Sequence, residues 1–370
     1  MKVHIGNLHN MCEHNTLFLS RVRVYFGMNG HRVVDAPDEA DLFFFGGCAV
    51  TDRMRGRCEG IILERMAANP GAGFVVFGCL AAFPERLLAA AARLDVTLRI
   101  VPFAESSRLD DLIRARHPFA TISTNRLHGH IPYQPLMGPA DCYVMIAQGC
   151  SNDCSYCNIK KAKGGITSRS PEEIAAEVAA LHSRGERTVT LLADDCGSYG
   201  FDRGTTLPEL LTLLCRTVPD IRFKLFTVFP GLYLRFAGQL EPFFAQRRIS
   251  YVCLPAQSAS PRILELMNRS YDPAELTAAV GRIRALAPET FIYSHFIYNF
   301  PSETWADFEQ SIALARYFDH CVFIGYGENS ATLAAGVVPK CTEQELARKS
   351  GHLGTLIENG ELPAFVVPVA

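Results

Sequence analysis

Apolar residues along this chain gather in short blocks, and between the blocks the apolar positions recur at helical spacing. In the first third, residues 3–5, 42–45, 74–77 and 96–101 are blocks of strand length rich in Val, Ile and Phe. Helical patterns over 17–27, 52–68 and 85–93 lie between them, and an Asn69-Pro70-Gly71 turn ends the second. Residues 117–138 show little periodicity and are rich in Pro, Gly, His and Thr, which marks a connection between domains. From Cys142 the alternation resumes. Strand-like blocks at 143–147, 188–192, 221–226, 251–254, 291–296 and 321–324 are interleaved with helical patterns such as 171–184, 207–217, 261–267, 274–287 and 305–318. Six repeats of strand then helix imply parallel strands with right-handed crossovers, in an open sheet or a partial barrel. Either architecture puts chemistry at the carboxyl ends of the strands.

Length supports this division, because 370 residues exceed what one core usually organises. Although 48% of the residues are hydrophobic, no stretch of about twenty apolar residues free of charge occurs, so no membrane span is expected. The opening MKVHIGNLHNMCEHN is polar where a signal peptide is apolar, and a cytoplasmic protein is expected. A net charge of −2 argues against a globally basic nucleic-acid surface. The thirteen cysteines change the picture most: in a reducing compartment they read as metal ligands or buried thiols, not disulfides. Cys58, Cys142, Cys196, Cys215, Cys253, Cys321 and Cys341 have no motif around them and are expected to be small buried hydrophobes.

The other six form two sets. Cys150, Cys154 and Cys157, in AQGCSNDCSYCNIKKAKGG, stand four and three residues apart just beyond the 143–147 strand. That spacing suits wrapping one small cluster in a loop. Three ligands for four irons leave one iron open to a substrate, whereas a purely structural cluster is normally closed by a fourth cysteine. Zinc is the competing reading, but zinc sites favour paired CxxC or Cys/His sets, and no His stands at the right spacing. The CxxxCxxC set resembles that of the radical SAM superfamily. The resemblance implies a [4Fe-4S] cluster whose open iron chelates S-adenosylmethionine (SAM). An electron donor such as flavodoxin or ferredoxin would then drive cleavage of SAM to a 5′-deoxyadenosyl radical. Tyr156 falls where the superfamily commonly has an aromatic residue.

Cys12, Cys48 and Cys79 each end a strand-like segment, in NMCEHN, FFFGGCAVTDR and VVFGCLA. Loops at one end of a parallel sheet converge, so the three can meet at one point. Any one alone is an ordinary buried thiol; three at equivalent strand ends, two directly after Gly, argue for a site. The pattern resembles the radical SAM methylthiotransferases from residue 1 to about residue 350. LLADDCGSYGFD, LPAQSASPRILELMNRSYD and FIYNFPSETWADFEQSI are similar to that family's strand-end segments. The resemblance implies a Rossmann-like parallel-sheet α/β domain over 1–125, a linker over 126–138, a partial (β/α)6 barrel of TIM type over 139–350, and a short tail over 351–370. It also implies two [4Fe-4S] clusters, a radical one on Cys150, Cys154 and Cys157 and an auxiliary one on Cys12, Cys48 and Cys79. One SAM would methylate sulfur at the auxiliary site, and a second would supply the radical that opens a C–H bond. By matching position, Tyr156, Asp195, Tyr199, Gln257 and Ser258 line the cofactor and substrate pocket. Lys224 could pair with the SAM carboxylate, and Arg169 follows the cluster loop.

Several segments depart from the family. GGC replaces NTC, NFPSET replaces GFPGET at Asn299 and Ser302, His295 replaces an Asp, and YGENSATLA lacks an Arg. Members that modify tRNA or a ribosomal protein typically end in a small β-barrel, and the tail GELPAFVVPVA is too short for one. A peptide or small molecule is therefore expected as substrate ahead of tRNA, with a barrel-less tRNA or ribosomal-protein methylthiotransferase as the alternative. A non-catalytic iron–sulfur carrier is the remaining alternative, disfavoured by the SAM-pocket layout of Gln257, Ser258 and NFPSET. Lys160, Lys161 and Lys163 are expected to face solvent on the cluster loop.

Overall fold

The four apolar blocks of the first third form β1 (Lys2–Asn7), β3 (Leu42–Gly47), β4 (Gly73–Gly78) and β5 (Thr97–Val101), and a fifth parallel strand with no block of its own, β2 (Arg32–Val34), pairs with β1. Their order is β2-β1-β3-β4-β5. The computed structural model to which they belong describes residues 1–132 and 134–367. It divides into two units, Met1–Asp141 with Asn158–Gly164, and Cys142–Cys157 with Gly165–Ala370.

Strands β3 and β4 are buried on both faces, as central parallel strands are. Phe44, Val75 and Phe77 pack in the layer of α1 (Glu13–Met28), while Phe43, Phe45, Phe74 and Val76 pack in the layer of α2 (Asp52–Ala68) and α3 (Glu85–Leu94). The Thr51 hydroxyl caps α2 by accepting from the Met54 amide at 3.1 Å. A short helix, α4 (Asp110–Ile113), adds Leu112 and Ile113 to the first layer.

The expected linker is part of this first unit. Leu127, His130, Gln134 and Met137 are buried, the His128 amide donates to Ser20 Oγ at 2.8 Å, and the Ile131 amide donates to the Asn10 carbonyl at 3.0 Å. Aperiodic chain can still bury isolated side chains, which hydrophobic periodicity does not register. Tyr133 lies outside the described residues.

The second unit begins with β6 (Tyr143–Met145) and β7 (Ala147–Gln148). The chain next forms α5 (Ile159–Lys163), which belongs to the first unit, and returns as β8 (Thr167–Ser168), antiparallel to β7. The alternation then runs α6 (Pro171–Ser183), β9 (Thr188–Leu192), α7 (Leu207–Thr217), β10 (Arg222–Leu225), α8 (Pro230–Ala245) and β11 (Ile249–Cys253). It continues through α9 (Pro261–Leu266), α10 (Pro273–Leu286), β12 (Phe291–Tyr298), α11 (Trp305–Ala315), β13 (His320–Gly325), α12 (Glu343–Glu358) and β14 (Ala364–Val367). The sheet is all parallel, in the linear order β6-β9-β10-β11-β12-β13-β14. This is the expected α/β alternation with two additions. Helix α8 carries buried side chains on most of its turns and an internal Pro242, which hides its period. Strand β14 and the end of α12 occupy the expected tail, of which residues 368–370 lie outside the described set. Among the described residues no helix is long and apolar enough to cross a membrane.

Both departures from the glycines of GFPGET sit in left-handed backbone, Asn299 at φ 60° and Ser302 at φ 72°. Asn tolerates that region; Ser there costs about 1–2 kcal/mol relative to Gly, offset in part by Arg262 Nη1 donating to Ser302 Oγ at 3.0 Å. Ser302→Gly should therefore raise the thermal midpoint of the second unit by about 2 °C. An unchanged or lower midpoint in a calorimetric scan would mean that the Arg262 bond outweighs the backbone strain.

Candidate functional site

Strands β1, β3 and β4 are neighbours, and beyond each carboxyl end stands one cysteine of the first set. Cys48 and Cys79 directly follow the register pair Gly47↔Gly78, and Cys12 is the N-cap residue of α1. The glycines permit this convergence. Gly78 takes φ 92°, and a Cβ on it would lie 2.5 Å from the Gly47 carbonyl oxygen. The Cys12 loop is held by Asn15 Nδ2 donating to Asn7 Oδ1 (2.8 Å), Asn7 Nδ2 donating to Thr16 Oγ1 (2.9 Å), and the Thr16 amide donating to the Cys12 carbonyl (2.9 Å).

None of the three is in a disulfide, and all are half-buried. Burial pushes Cys12 up to about 12 and Cys48 well above the ordinary thiol value, and the charge of Cys79 adds to the rise at both. Thiols so placed become ligands only when a cation or metal compensates the lost proton. Among the described residues no three Cys, His, Asp or Glu side chains are drawn together tightly enough for one metal ion. A cubane cluster puts each thiolate on a different iron and so spaces its sulfurs more widely. All-sulfur donor sets of three fit such a cluster better than zinc.

In the second unit, Cys150, Cys154 and Cys157 lie in the loop after β7. Cys150 Sγ accepts from the Asn152 amide (3.4 Å) and from Asn152 Nδ2 (3.3 Å), and the same Nδ2 donates to Asp195 Oδ2 at 2.8 Å. Asp195 also accepts from Ser198 Oγ (2.6 Å), the Gly197 amide (3.0 Å) and the Phe229 amide (2.9 Å). Burial raises its pKa against those bonds. Asp195 thus braces the loops after β9 and β10 and steadies the cysteine loop through Asn152.

Arg269, in the quoted segment MNRSYD, was not among the expected site residues, yet it contacts the cysteine loop. Its buried guanidinium donates through Nη1 to Cys154 Sγ (3.4 Å) and Tyr156 Oη (3.2 Å) and through Nη2 to the Pro255 carbonyl (2.5 Å). It stacks 4.5 Å from the centroid of Phe229. Burial works against its charge, and Tyr156 and Cys154 more than compensate. Backbone bonds fix the same junction: the Ser155 amide donates to the Met267 carbonyl (2.9 Å), Ser155 Oγ to the Leu266 carbonyl (2.7 Å), and Asn268 Nδ2 to the Asp153 carbonyl (2.7 Å). The turn after α9 therefore anchors the cysteine loop.

The remaining expected residues divide. Gln257, at φ 69°, donates its amide to the His295 carbonyl (2.7 Å), and its Oε1 is buried with no hydrogen-bond partner. An orphaned acceptor at a strand end fits a donor on a bound ligand. Lys224 is half-buried on β10, in register with Thr190 and Tyr251. Tyr199 Oη donates to the Arg169 carbonyl (3.0 Å), and Arg169 Nη1 donates to the Met145 carbonyl (2.9 Å) and Glu177 Oε2 (2.6 Å). Ser258 is fully buried, accepting from the Ser260 amide at 3.1 Å. His295, where the family has Asp, is driven by burial and by Arg269 down to about 4 and is neutral. The basic run after Cys157 also divides: Lys160 and Lys161 are exposed as expected, but Lys163 is buried.

Residues 144–315 match the family model described as the Radical SAM superfamily. A tRNA-2-methylthio-N(6)-dimethylallyladenosine synthase of Chromobacterium violaceum is 30% identical over 348 residues, covering 88% of this chain and 76% of its own. A protein of the same name from Ralstonia nicotianae is 31% identical, covering 88% and 74%. A probable threonylcarbamoyladenosine tRNA methylthiotransferase of Pyrococcus horikoshii is 27% identical, covering 90% and 79%. Among solved structures, the radical S-adenosylmethionine methyltransferase TsrM of Kitasatospora setae aligns at a TM-score of 0.60 and 12% identity over 90% of this chain and 77% of its own, a likeness of fold alone.

Proposed function

This chain belongs to the radical SAM methylthiotransferase-like family, and from that premise we propose that it is a methylthiotransferase that opens a C–H bond and closes it with sulfur and a methyl group. Cys150, Cys154 and Cys157 hold the radical cluster in this reading, and Cys12, Cys48 and Cys79 hold an auxiliary one. The observation that carries it is the placement of the second set: Cys12, Cys48 and Cys79 stand beyond the carboxyl ends of three adjacent parallel strands, the last two directly after the register pair Gly47↔Gly78. When bound and reduced, the radical cluster supplies cleavage of SAM to a 5′-deoxyadenosyl radical, and the auxiliary cluster supplies sulfur.

The chain's own residues hold and tune these groups. Asn152 and Arg269 donate to Cys150 and Cys154 and so stabilise the thiolate form. Gln257 Oε1 offers an acceptor to the polar end of SAM, and Lys224 offers a cation to its carboxylate. Asp195, Tyr199 and Arg169 act as braces, not as acid–base groups, because each is committed to bonds between loops. Neutral His295 adds no charge beside Arg269.

The expectation of a peptide or small molecule ahead of tRNA finds no support in the relatives above, all three of which are named for tRNA modification. We therefore take an adenosine in tRNA as the substrate class. The test incubates anaerobically reconstituted protein with SAM, a flavodoxin or ferredoxin donor, and tRNA from a strain that lacks methylthio-adenosine. Mass spectrometry of the nucleoside digest should find adenosine carrying a methylthio group. Cleavage of SAM with no thiolated nucleoside sinks the tRNA reading, and failure to release any 5′-deoxyadenosine sinks the enzyme.

A further inference from the structure

The whole chain carries a net charge of only −2, yet cations gather at one end of the first unit. Helix α2 opens four residues after Cys48, and Arg53, Arg55 and Arg57 all fall within its first six residues. At that end of a helix the macrodipole favours anions, so the helix itself gains nothing from them. Arg53 and Arg57 are exposed on successive turns of one face, where like charges four apart repel, and neither is in an ion pair among the described residues. Arg55 pairs with Asp52 at 3.0 Å.

Helix α5 brings two more cations to the same place. It packs on the turn Cys79–Ala82 within the first unit, and Asn158 Nδ2, at its head, donates to the carbonyl of Ala49, the residue after Cys48. Its Lys160 and Lys161 are exposed. Phe83 ends the Cys79–Ala82 turn, and over its ring stand both the Arg55 guanidinium, 5.2 Å from the centroid, and the Lys161 ammonium, 4.5 Å from it. Sharing one ring keeps these two charges within the ~10 Å over which repulsion persists in 0.1 M salt. The two helices are remote in sequence, so the fold assembles this cluster, at the border of the Cys48 and Cys79 loops. A polyanion relieves such a concentration of like charge. Three of the five cations are arginines, whose planar fork matches phosphate oxygens two at a time. Arg53 and Arg57 lie about 6 Å apart along the helix axis, near the spacing of successive phosphates on one strand.

We propose that Arg53, Arg55, Arg57, Lys160 and Lys161 form a surface that grips the sugar–phosphate backbone of an RNA beside the Cys48 and Cys79 loops. The proposal rests on the tRNA reading given above and adds where the first unit holds that molecule. Its chemistry is charge pairing alone, with no covalent step.

The test measures binding of the anaerobically reconstituted full chain to tRNA from the strain that lacks methylthio-adenosine, by fluorescence anisotropy between about 50 and 200 mM salt. R53Q, R57Q and K161Q combined should bind about 30-fold more weakly than the parent at about 100 mM salt, and the slope of log affinity against log salt should be shallower by about 2. R57Q alone should bind about threefold more weakly. R53K, R57K and K161R combined keep every charge and should restore the parent slope. The glutamine variant should melt no lower than the parent, because it loses repulsion and no ion pair. Equal affinity and slope in the parent and the glutamine variant overturn the proposal, as does a loss that the charge-keeping variant shares. Unchanged tRNA affinity with slower reduction by flavodoxin also overturns it, and gives the surface to an acidic electron donor. A parent that binds no tRNA overturns the tRNA reading itself, an outcome distinct from the others.

Discussion

Cys48→Ala should leave the anaerobically reconstituted protein with about four irons where the parent holds about eight, and should abolish thiolation while SAM cleavage persists. The expectation follows from where the two sets of ligands sit. Cys48 belongs to the first unit, directly after Gly47, whose register partner Gly78 precedes Cys79, whereas the radical cysteines belong to the second. Losing one thiolate of three leaves the auxiliary site two ligands, too few to retain a cluster, and touches nothing around Cys150 or Cys154. Folding should survive, because Cys48 is only half-buried and alanine removes one sulfur atom. Cys58→Ala is the matched control: that thiol is fully buried against Ile62, Met66 and the sheet, so its loss should cost stability and no iron. Iron and sulfide assays with quantitation of 5′-deoxyadenosine decide the matter. Unchanged iron in Cys48→Ala, together with a thiolated product, would remove the auxiliary site from the mechanism.

Both cysteine sets stand out in the sequence because what marks them is local. A cysteine directly after a strand-length apolar block reports its own place at a strand end, and the pair of glycines before Cys48 reports close approach. The reason for those glycines came only with the register, which sets Gly47 beside Gly78. Periodicity found the helix at Asp52–Ala68 to the residue, since its apolar stripe is one-sided and Thr51 caps it. It found no helix at Pro230–Ala245, which buries most of its turns, and no strand at Ala364–Val367, which is too short to display a period. Lysines posed the converse difficulty. Lys160, Lys161 and Lys163 read alike in a charged run, and only the packing of α5 on the Cys79 turn separates the buried one from its exposed neighbours. Arg269 and Cys154 are 115 positions apart, so no local pattern could join them.

That long-range pair gives the second large effect. Arg269→Met should slow release of 5′-deoxyadenosine about 100-fold, equivalent to about 2.7 kcal/mol of barrier. It should also lower the reduction potential of the radical cluster, measured with C12A, C48A and C79A combined so that the auxiliary signal is absent. Removing the guanidinium takes away both a hydrogen bond to the Cys154 sulfur and a positive charge beside it, and each of these favours the reduced, more negative cluster. It also strands the Tyr156 hydroxyl and the Pro255 carbonyl, which share the same fork. Arg269→Lys separates the contributions. An ammonium keeps the charge but cannot serve sulfur and carbonyl from two rigidly spaced nitrogens, nor stack as a plane on Phe229. Arg269→Lys should therefore recover most of the potential and only part of the rate. A purely structural arginine predicts a different result: Arg269→Met would lose thermal stability with the cluster potential unmoved, and the surviving folded fraction would cleave SAM within about threefold of the parent rate, below one kcal/mol of barrier. That outcome would return Arg269 to the scaffold and leave Asn152, through its two bonds to Cys150, as the residue that tunes the cluster.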